Sequence, residues 1–370
     1  MNNSLPSLLD LAIAIQQVPA PTFHEAQRAE FVRTLFVKEQ LQDVEIDPVG
    51  NVYARLPGSA SRSSGGSKAL VLSAHLDTVF SHTVDLQVQR EAGRIQAPGI
   101  GDNSMGVAGL IGLVWLLREH GITLPGDLWL VANVCEEGLG NLRGMKALVE
   151  RFGPAPLAYI VLEGMALGQI YHRGLGVQRY RITMRTAGGH SWHDYGQPSA
   201  IHELAALSNH ITALDLPREP RTTLNVGIIS GGSSVNTIAA EAMLELDLRS
   251  ESATALQDLT GQVEQIVYSA AKPGLTVETE IIGQRPSGEL PEHHWLIKLA
   301  QDCLRSVGVE PHLNIGSTDA NLPLSLGYPC ITIGLTTGGR AHTVYEFMNT
   351  VLLEKGMQQL VRLVCQAWSM

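Results

Sequence analysis

Histidines and carboxylates stand in this sequence at points where buried segments end. The apolar run 69–74 stops at His75, and Asp77 follows two residues later. Alternate residues of an extended strand lie on the same side, so we expect these two side chains to face the same way. A histidine with a carboxylate behind it is the pair with which metal sites fix the tautomer of an imidazole. The pair is therefore a candidate metal ligand with its orienting group.

Further acids and a second histidine occupy equivalent places along the chain. They are Asp102 in the glycine-rich turn 98–103, Glu136 and Glu137 after the strand 128–133, Glu163 after the strand 159–162, and His342 after the strand 331–333. Ligands of open α/β sheets gather at the carboxyl ends of the strands, so we expect these side chains to share one rim. Two imidazoles and three carboxylates suit two adjacent divalent ions bridged by Asp102, with zinc favoured and cobalt or manganese possible.

Two metal ions about 3.5–4 Å apart activate a water and polarise a carbonyl, which predicts hydrolysis. One carboxylate must then stay off the metals to accept the proton of the water. Successive residues of a strand point in opposite directions, so Glu136 and Glu137 are not both expected to reach the ions. We assign Glu137 to metal binding and Glu136 to the role of general base.

Each of these residues also has an ordinary structural interpretation. A Glu-Glu pair is most often part of a solvated turn, Asp102 could be an N-cap, and His342 could be a surface residue. Glu163 is harder to explain in this way, because an apolar strand rarely ends in a buried acid without a partner. The placement of every acid at a strand end or in an adjoining turn favours the metal centre.

Composition limits the class of protein. A chain of 370 residues, 44% hydrophobic and with 37 glycines, predicts a globular α/β protein of two domains. A formal net charge of −10 argues against a nucleic-acid partner. No uninterrupted apolar run approaches the roughly 18 residues of a membrane span, and the first residues predict an amphipathic helix instead of a secretory signal. Four separated cysteines without zinc-ligand spacing predict free thiols in a reducing cytoplasm.

Hydrophobic periodicity separates two kinds of segment. Buried strands alternating with helices predict an α/β catalytic domain with a mainly parallel sheet, formed by residues 1–173 and 285–370. Residues 174–284 contain strands with one polar face in the order β-α-β-β-α-β, which predicts an inserted ferredoxin-like α+β domain. Thr22 and Glu25 have the spacing of a capping box for the next helix. The composition of residues 59–67, SASRSSGGS, predicts a solvated loop or hairpin.

Five stretches, SAHLDTV, GIGDNSMGVAGL, CEEGLGNLRG, VLEG and GRAHTVYEFM, resemble in this order the metal-site motifs of the dinuclear zinc metallopeptidases. That family includes glutamate carboxypeptidase, aminoacylase, acetylornithine deacetylase, succinyl-diaminopimelate desuccinylase and peptidase T. The resemblance covers nearly the whole chain and implies two Zn²⁺ per subunit. It implies an orienting role for Asp77, a catalytic base at Glu136 and a non-proline cis peptide after Asp102. The implied ligands are His75, Asp102 and Glu163 for one ion, and Asp102, Glu137 and His342 for the other.

The resemblance extends to residues 174–284, which it identifies as a lid and dimerisation domain. The stretch Gly188-Gly189-His190-Ser191 is similar to a lid motif in which the histidine crosses a dimer interface and stabilises the oxyanion of the tetrahedral intermediate. The resemblance implies that Asn236 and Arg249 bind the carbonyl or carboxylate of the substrate, a task that suits the fork of an arginine. Arg249 could instead be a salt-bridged arginine at a strand end. Ser317 and Gly338 match positions that line the substrate cleft.

The sequence thus predicts a cytoplasmic, homodimeric, metal-dependent hydrolase that acts on a small peptide or N-acyl amino acid. Glu163 as the third ligand favours carboxypeptidase or deacylase chemistry, because family members that act on a free α-amine tend to have Asp there. The stretch GIGDNSMG and the short chain resemble peptidase T instead, so an aminopeptidase for di- or tripeptides is an alternative. A catalytically inactive binding or scaffold homologue is a third possibility, which the metal content would test.

Overall fold

A computed structural model of the chain describes residues 4–59 and 68–369. The chain divides into two compact units, one formed by Met1–Gly174 with Gly288–Met370 and the other by Leu175–Ser287. The predicted solvated loop at 59–67 lies, after Ser59, outside the described residues.

The strands and helices are numbered along the whole chain. The strands are β1 (Gln42–Ile46), β2 (Val52–Leu56), β3 (Leu70–His75), β4 (Gln89–Glu91), β5 (Arg94–Gln96), β6 (Leu128–Asn133), β7 (Ala158–Glu163), β8 (Gln169–Gly174), β9 (Gly176–Thr186), β10 (Gly189–His190), β11 (Thr222–Gly231), β12 (Thr237–Ile238), β13 (Glu241–Ser250), β14 (Leu275–Arg285), β15 (Gly288–Glu289), β16 (His312–Gly316), β17 (Cys330–Gly334), β18 (Gly338–Gly339) and β19 (Phe347–Asn349). The α-helices are α1 (Ser4–Gln16), α2 (Ala26–Lys38), α3 (Gly106–Glu119), α4 (Arg143–Phe152), α5 (Ala200–Thr212), α6 (Ala253–Ser269), α7 (Trp295–Ser306), α8 (Asn321–Ser325) and α9 (Leu353–Gln366). A π-helical turn, Ile100–Met105, precedes α3, and a short 3₁₀ turn, Ala367–Ser369, follows α9.

The first unit is built on a sheet of nine strands among the described residues, in the order β1-β2-β6-β3-β7-β17-β8-β15, with β16 beside β8. The four central strands β6, β3, β7 and β17 run parallel, which confirms the predicted mainly parallel α/β fold. Every residue of β3 is buried, as expected of a strand covered on both faces. Parallel pairing brings the carboxyl ends of β3, β6 and β7 to one rim.

Helix α3 is the central helix of the first unit, with α1, α9 and β3 against it. Its apolar residues leave almost no polar face, and eleven of its fourteen residues are buried. By length and composition alone the stretch Ile100–Glu119 could cross a bilayer, but 89% of its apolar window is buried inside the structure. The stretch therefore has the character of a core helix.

A small antiparallel sheet in the same unit has the order β18-β19-β5-β4. In it Phe347 pairs with both Gly339 and Gln96. The sheet fixes the segment around His342 against the chain that enters the glycine-rich turn at residue 98.

The second unit has a four-stranded antiparallel sheet in the order β11-β13-β9-β14. Helices α5 and α6 pack on one face, against side chains such as Tyr180, Ile182 and Met184. The opposite face carries cross-strand ion pairs, among them those of Arg181 with Glu245 and Glu280. The strand order and the β-α-β-β-α-β succession are those of a ferredoxin-like fold. Dimerisation through this unit stays a prediction.

The two ends of the second unit lie close together, because the strand residues at its start pair with those at its end. Gly174 pairs with Gly288 at the end of β8 in the first unit, and Val177 pairs with Arg285 in the second. The chain therefore leaves and re-enters the first unit at neighbouring positions of one strand pair.

Two local predictions are wrong. Thr22 and Glu25 form no capping box: the Glu25 side chain makes no capping hydrogen bond to α2 and is instead buried in contacts with a distant loop. The alternation of strand residues, which we used to separate Glu136 from Glu137, does not apply to them, because β6 ends at Asn133 and the pair lies in the loop after it. Both errors follow from tertiary contacts that local spacing does not reveal.

All four cysteines lie within the described residues, and each is a free thiol; Cys135, Cys303 and Cys330 are buried. This agrees with the expectation of free thiols.

Candidate metal centre

The structure brings the five predicted ligands together at the rim of the sheet. The Nε2 atom of His75, the last residue of β3, lies 3.1 Å from Oδ1 of Asp102 and 3.8 Å from Oε2 of Glu163. The Nε2 atom of His342 lies 3.2 Å from Oδ2 of Asp102 and 3.1 Å from Oε1 of Glu137. Asp102 is common to both groups and offers one carboxylate oxygen to each.

Three groups of side chains in the described residues have ligand atoms within 4.8 Å of one another. Two are the triads given above, and the third contains His75, Glu136 and Glu137. Glu136 is almost fully buried and lies in the loop that follows β6. Glu136 therefore lies beside both triads, because the third group joins it to His75 of one triad and to Glu137 of the other.

Asp77 is fully buried and holds the loop of Glu136 and Glu137. Its Oδ1 accepts the N–H of Glu136 and its Oδ2 the N–H of Glu137, both at 2.9 Å. The hydroxyl of Thr22 donates to the same Oδ2 at 2.9 Å. The Nδ1 atom of His75 lies 3.0 Å from the backbone carbonyl oxygen of Asp77 and 3.6 Å from its carboxylate. The carbonyl therefore accepts the Nδ1–H, so Nε2 of His75 is the nitrogen that faces the cluster and that is available to a metal ion when the ring is neutral.

The loop of Asp102 is fastened on two sides. The Asn103 side chain donates to the carbonyl of Leu162 at 2.8 Å and accepts the N–H of Gly164 at 3.0 Å, so it ties the loop to both neighbours of Glu163. The peptide bond between Asp102 and Asn103 is cis, which confirms the prediction from the family resemblance.

Glu346 fastens the opposite side of the loop. It has no solvent exposure, and its Oε1 accepts the N–H groups of Gly101 and Asp102 at 2.8 and 2.9 Å. Its Oε2 accepts the N–H of Gly99 at 3.3 Å. A side chain at Gly101 would not fit, since its Cβ would lie 2.3 Å from Cγ of Met165.

Behind the cluster, Glu25 and Arg28 connect the start of α2 to the rim. Oε1 of Glu25 accepts the N–H of Cys135 at 3.1 Å, one residue before Glu136. The buried guanidinium of Arg28 donates to the carbonyl oxygens of Val18 at 2.7 Å and Leu76 at 2.8 Å. Glu25 and Asp77 together thus hold three consecutive N–H groups, those of residues 135–137.

The electrostatics of the site favour charged histidines when no cation is present. Burial opposes protonation of His75, but the carboxylates of Asp102, Asp77 and Glu163 outweigh it and raise its pKa well above the ordinary value. Hydrogen bonds with Asp102 and Glu137 raise the pKa of His342 to about 10. In the metal-free site the surrounding acids therefore favour the protonated form of both imidazoles.

The acids of the site differ in their tendency to ionise. Burial favours the neutral form of Asp102, but its contacts with His342 and His75 outweigh burial and hold its pKa far below the ordinary value. Burial raises the pKa of Glu163 above the ordinary value. Burial likewise raises the pKa of Glu346 to about 7.

The donor set fits a pair of divalent ions such as zinc. Each triad combines one imidazole nitrogen with two carboxylate oxygens, ligands that zinc accepts at about 2.0–2.2 Å. Atoms bonded to one tetrahedral ion at that length stand about 3.3 Å apart. The ligand-atom distances of 3.1–3.8 Å given above are close to this value. The alternatives of a solvated turn and an N-cap do not describe these residues, because the Glu136–Glu137 pair is buried and the Asp102 carboxylate contacts both histidines.

His190 lies in the second unit, on the short strand β10. Its Nδ1 atom accepts the N–H of Trp192 at 3.2 Å and that of His193 at 3.4 Å. A neutral ring in this position carries its proton on Nε2. The N–H of His190 itself donates to Oδ2 of Asp194 at 2.7 Å. The side chain is exposed and presents an Nε2–H donor.

Asn236 and Arg249 also belong to the second unit. The Oδ1 atom of Asn236 accepts the hydroxyl of Ser234 at 2.7 Å, and the Nε–H of Arg249 donates to Asp247 at 2.7 Å. The contact with Asp247 agrees with the interpretation of Arg249 as a salt-bridged arginine. In the first unit Ser317 follows β16 and Gly338 pairs with Met348; neither belongs to the three ligand groups found among the described residues.

Sequence reasoning identified no supporting role for Glu346, Glu25 or Arg28. Glu346 stood within the stretch GRAHTVYEFM, where an acid among apolar residues four positions after His342 was the available signal. Glu25 was assigned to a cap, and Arg28 carries no local signal on an amphipathic helix.

The chain is similar to known proteins in both sequence and fold. A family model described as Peptidase family M20/M25/M40 matches residues 71–366. The acetylornithine deacetylase of Shigella sonnei is 24% identical over 389 residues, which cover 98% of each chain. A tripeptidase from Staphylococcus aureus has a TM-score of 0.83 at 20% identity over 99% of both chains. The YXEP protein of Bacillus subtilis, described as a dinuclear metal-binding peptidase of the M20 family, has a TM-score of 0.71 at 16% identity, covering 100% of this chain and 99% of its own. The likeness to the two solved structures shows a shared fold.

Proposed function

This chain belongs to peptidase family M20/M25/M40, and from that membership we propose that it hydrolyses an amide bond of a small peptide or N-acyl amino acid at two zinc ions. The family match agrees with the predicted enzyme class, a metal-dependent peptidase or amidohydrolase. The observation that carries the proposal is the pair of His-carboxylate triads that share Asp102. Two such ions, when bound, lower the pKa of an attacking water and polarise the scissile carbonyl.

The residues of this chain have separate roles in the proposed reaction. Glu136 accepts the proton of the attacking water and passes it to the leaving amine. The three hydrogen-bonded N–H groups of residues 135–137 keep its backbone in place for both transfers. His190 from the other subunit of the predicted homodimer donates its Nε2–H to the oxyanion, a role that its hydrogen-bonded Nδ1 supports. Asn236, Arg249, Ser317 and Gly338 are proposed substrate contacts.

The carboxypeptidase or deacylase type is our first candidate, and the similarity to acetylornithine deacetylase supports it. An aminopeptidase for short peptides is the second, supported by the shared fold of the staphylococcal tripeptidase. A panel of N-acyl amino acids, dipeptides and tripeptides, assayed with added zinc, cobalt or manganese, separates them. An aminopeptidase loses cleavage when the substrate is N-acetylated, whereas a deacylase requires the acyl group.

The variant Glu136→Gln tests the proposed base. We expect it to fold and to bind metal like wild type while turnover falls by about 10²–10⁴-fold, the usual contribution of a general base. Glu150→Gln, an exposed acid of α4, is the matched control and should keep full activity. Metal content and the folded fraction are measured on all three proteins. Wild-type turnover in Glu136→Gln would remove Glu136 from this role, and zinc well below one ion per wild-type chain would favour an inactive homologue.

A further inference from the structure

Glu346 is a buried acid that neither triad uses. It has no solvent exposure, and its three hydrogen-bond donors are the backbone N–H groups of Gly99, Gly101 and Asp102. Burying a carboxylate is costly unless hydrogen bonds compensate it. These bonds connect it to the one loop that supplies the carboxylate shared by both triads.

The backbone of Glu346 is fixed as firmly as its side chain. Its N–H donates to the carbonyl of Thr343 and its carbonyl accepts the N–H of Ala97, both at 3.0 Å. Thr343 directly follows His342. The next residue, Phe347, pairs with Gln96 in the small sheet. Glu346 therefore joins the segment of His342 to the loop of Asp102.

Asn103 and Glu346 connect the Asp102 loop to segments that belong to different triads. Asn103 ties the loop to the residues on either side of Glu163, which belongs to the triad of His75. Glu346 ties the same loop to the segment of His342, which belongs to the triad of Asp102, Glu137 and His342. The distance of 3.2 Å between Asp102 and His342 depends on the relative placement of these two segments.

We propose that Glu346 is a positioning residue for the second metal ion. It holds the Asp102 loop against the His342 segment, so that both ligands reach the same cation. This inference rests on the proposed two-metal function. Residues that orient metal ligands typically change affinity by about 10–100-fold when they are mutated.

The variant Glu346→Gln tests the proposal through metal binding. Its amide oxygen can accept from Gly101 and Asp102, but its NH₂ group would face the N–H of Gly99 with no acceptor between them. We expect it to fold and to bind one ion like wild type, with about 10–100-fold weaker affinity for the other. Stepwise titration of metal-free protein with Zn²⁺ or Co²⁺ measures both affinities, and circular dichroism measures the fold.

Ser104→Ala is the matched control. Ser104 donates to the carbonyl of Gly99 at 2.6 Å, a hydrogen bond that stabilises the same loop from within. We expect both of its affinities to stay near wild type. The proposal is overturned if Glu346→Gln binds both ions like wild type, or if Ser104→Ala loses the second ion equally.

A glutamine variant that does not fold is replaced by Glu346→Asp, which keeps both acceptor oxygens on a shorter side chain. We expect this variant to weaken the second affinity as well, and two wild-type affinities would overturn the proposal. Failure of the proposed function gives a different result, since wild-type protein would then take up fewer than two ions.

Discussion

At the scale of single residues, the centre is an acidic cluster whose charge is balanced by imidazolium when no metal is bound. His75 and His342 contact the acids through the same Nε2 atoms that would ligate an ion. Protons and metal ions therefore compete for the same lone pairs.

This competition predicts a pH dependence for the metal-free protein. The pKa of His342 is raised to about 10 and that of His75 is raised well above its ordinary value near 6.5. A group with a raised pKa in the folded state stabilises the fold fully below its unfolded pKa, and the contribution is lost as pH rises through the folded pKa. The raised pKa values of Glu163 and Glu346 act in the same direction up to about pH 7.

We therefore expect the free energy of unfolding in EDTA, measured with urea, to fall between pH 6.5 and about 10. Stabilisation by added zinc should grow over the same range, because deprotonated ligands bind it better. His342→Gln should flatten the alkaline part of the EDTA curve. A curve in EDTA that stays level or rises through this window would contradict the assignment.

The residues of the two triads were predictable from the sequence because each is a polar residue directly after an apolar segment or in a glycine-rich turn. The residues that hold the triads in place were not predictable. Glu25 has the spacing of a cap, yet its partner is Cys135, which lies more than a hundred positions later in the sequence. Local spacing carries no information about such long-range hydrogen bonds.

At the scale of elements, the buried parallel strands were predictable because they lie between two apolar layers and are apolar throughout. Strands β8 and β16 were missed, since only part of each is apolar: β8 alternates buried and half-buried residues, and β16 has no fully buried residue. Their position in the sheet comes from the pairing of β8 with β17 and β15 and of β16 with β8, which one segment alone does not reveal.

The buried side chain of Arg28 is one of the groups that attach helix α2 to the rim. Its guanidinium donates to the backbone oxygens of Val18 and Leu76 and is close enough to Asp77 and Glu25 for their charges to act on it. Burial lowers its pKa to about 10, with the two acids opposing this effect. The arginine compensates charge that would otherwise be buried alone.

We expect Arg28→Met to lower the free energy of unfolding by about 3–5 kcal/mol, the usual result of leaving buried charge without its partner. Arg33→Met on the same helix is the control, since Arg33 pairs with Glu30 at the surface and its loss should change stability little. Urea unfolding of both variants in EDTA separates this effect from metal binding. Equal stabilities for the two variants would contradict the anchoring role of Arg28.

At the scale of the whole molecule, the second unit is inserted between two paired strands of the first unit, β8 and β15. Because Gly174 pairs with Gly288, a short turn can replace residues 175–287 without moving either strand. The shortened chain that remains would keep both triads and the main core cluster of the first unit.

We expect this shortened chain to fold and to bind two zinc ions, but to hydrolyse no substrate at a measurable rate, since it lacks the proposed oxyanion and substrate contacts of His190, Asn236 and Arg249. Circular dichroism, metal titration and the substrate panel measure the three properties. Wild-type turnover in the shortened chain would show that the second unit is dispensable for the reaction.

The order of the strands also has a consequence for how the protein is made. Strand β7 pairs with β17, which follows the whole second unit in the sequence, and His342 comes later still. A chain that leaves the ribosome from its N-terminus thus exposes the complete second unit before the sheet of the first can close. His342 emerges after every other residue of the two triads, so a nascent or prematurely terminated chain that lacks it holds no complete pair of triads.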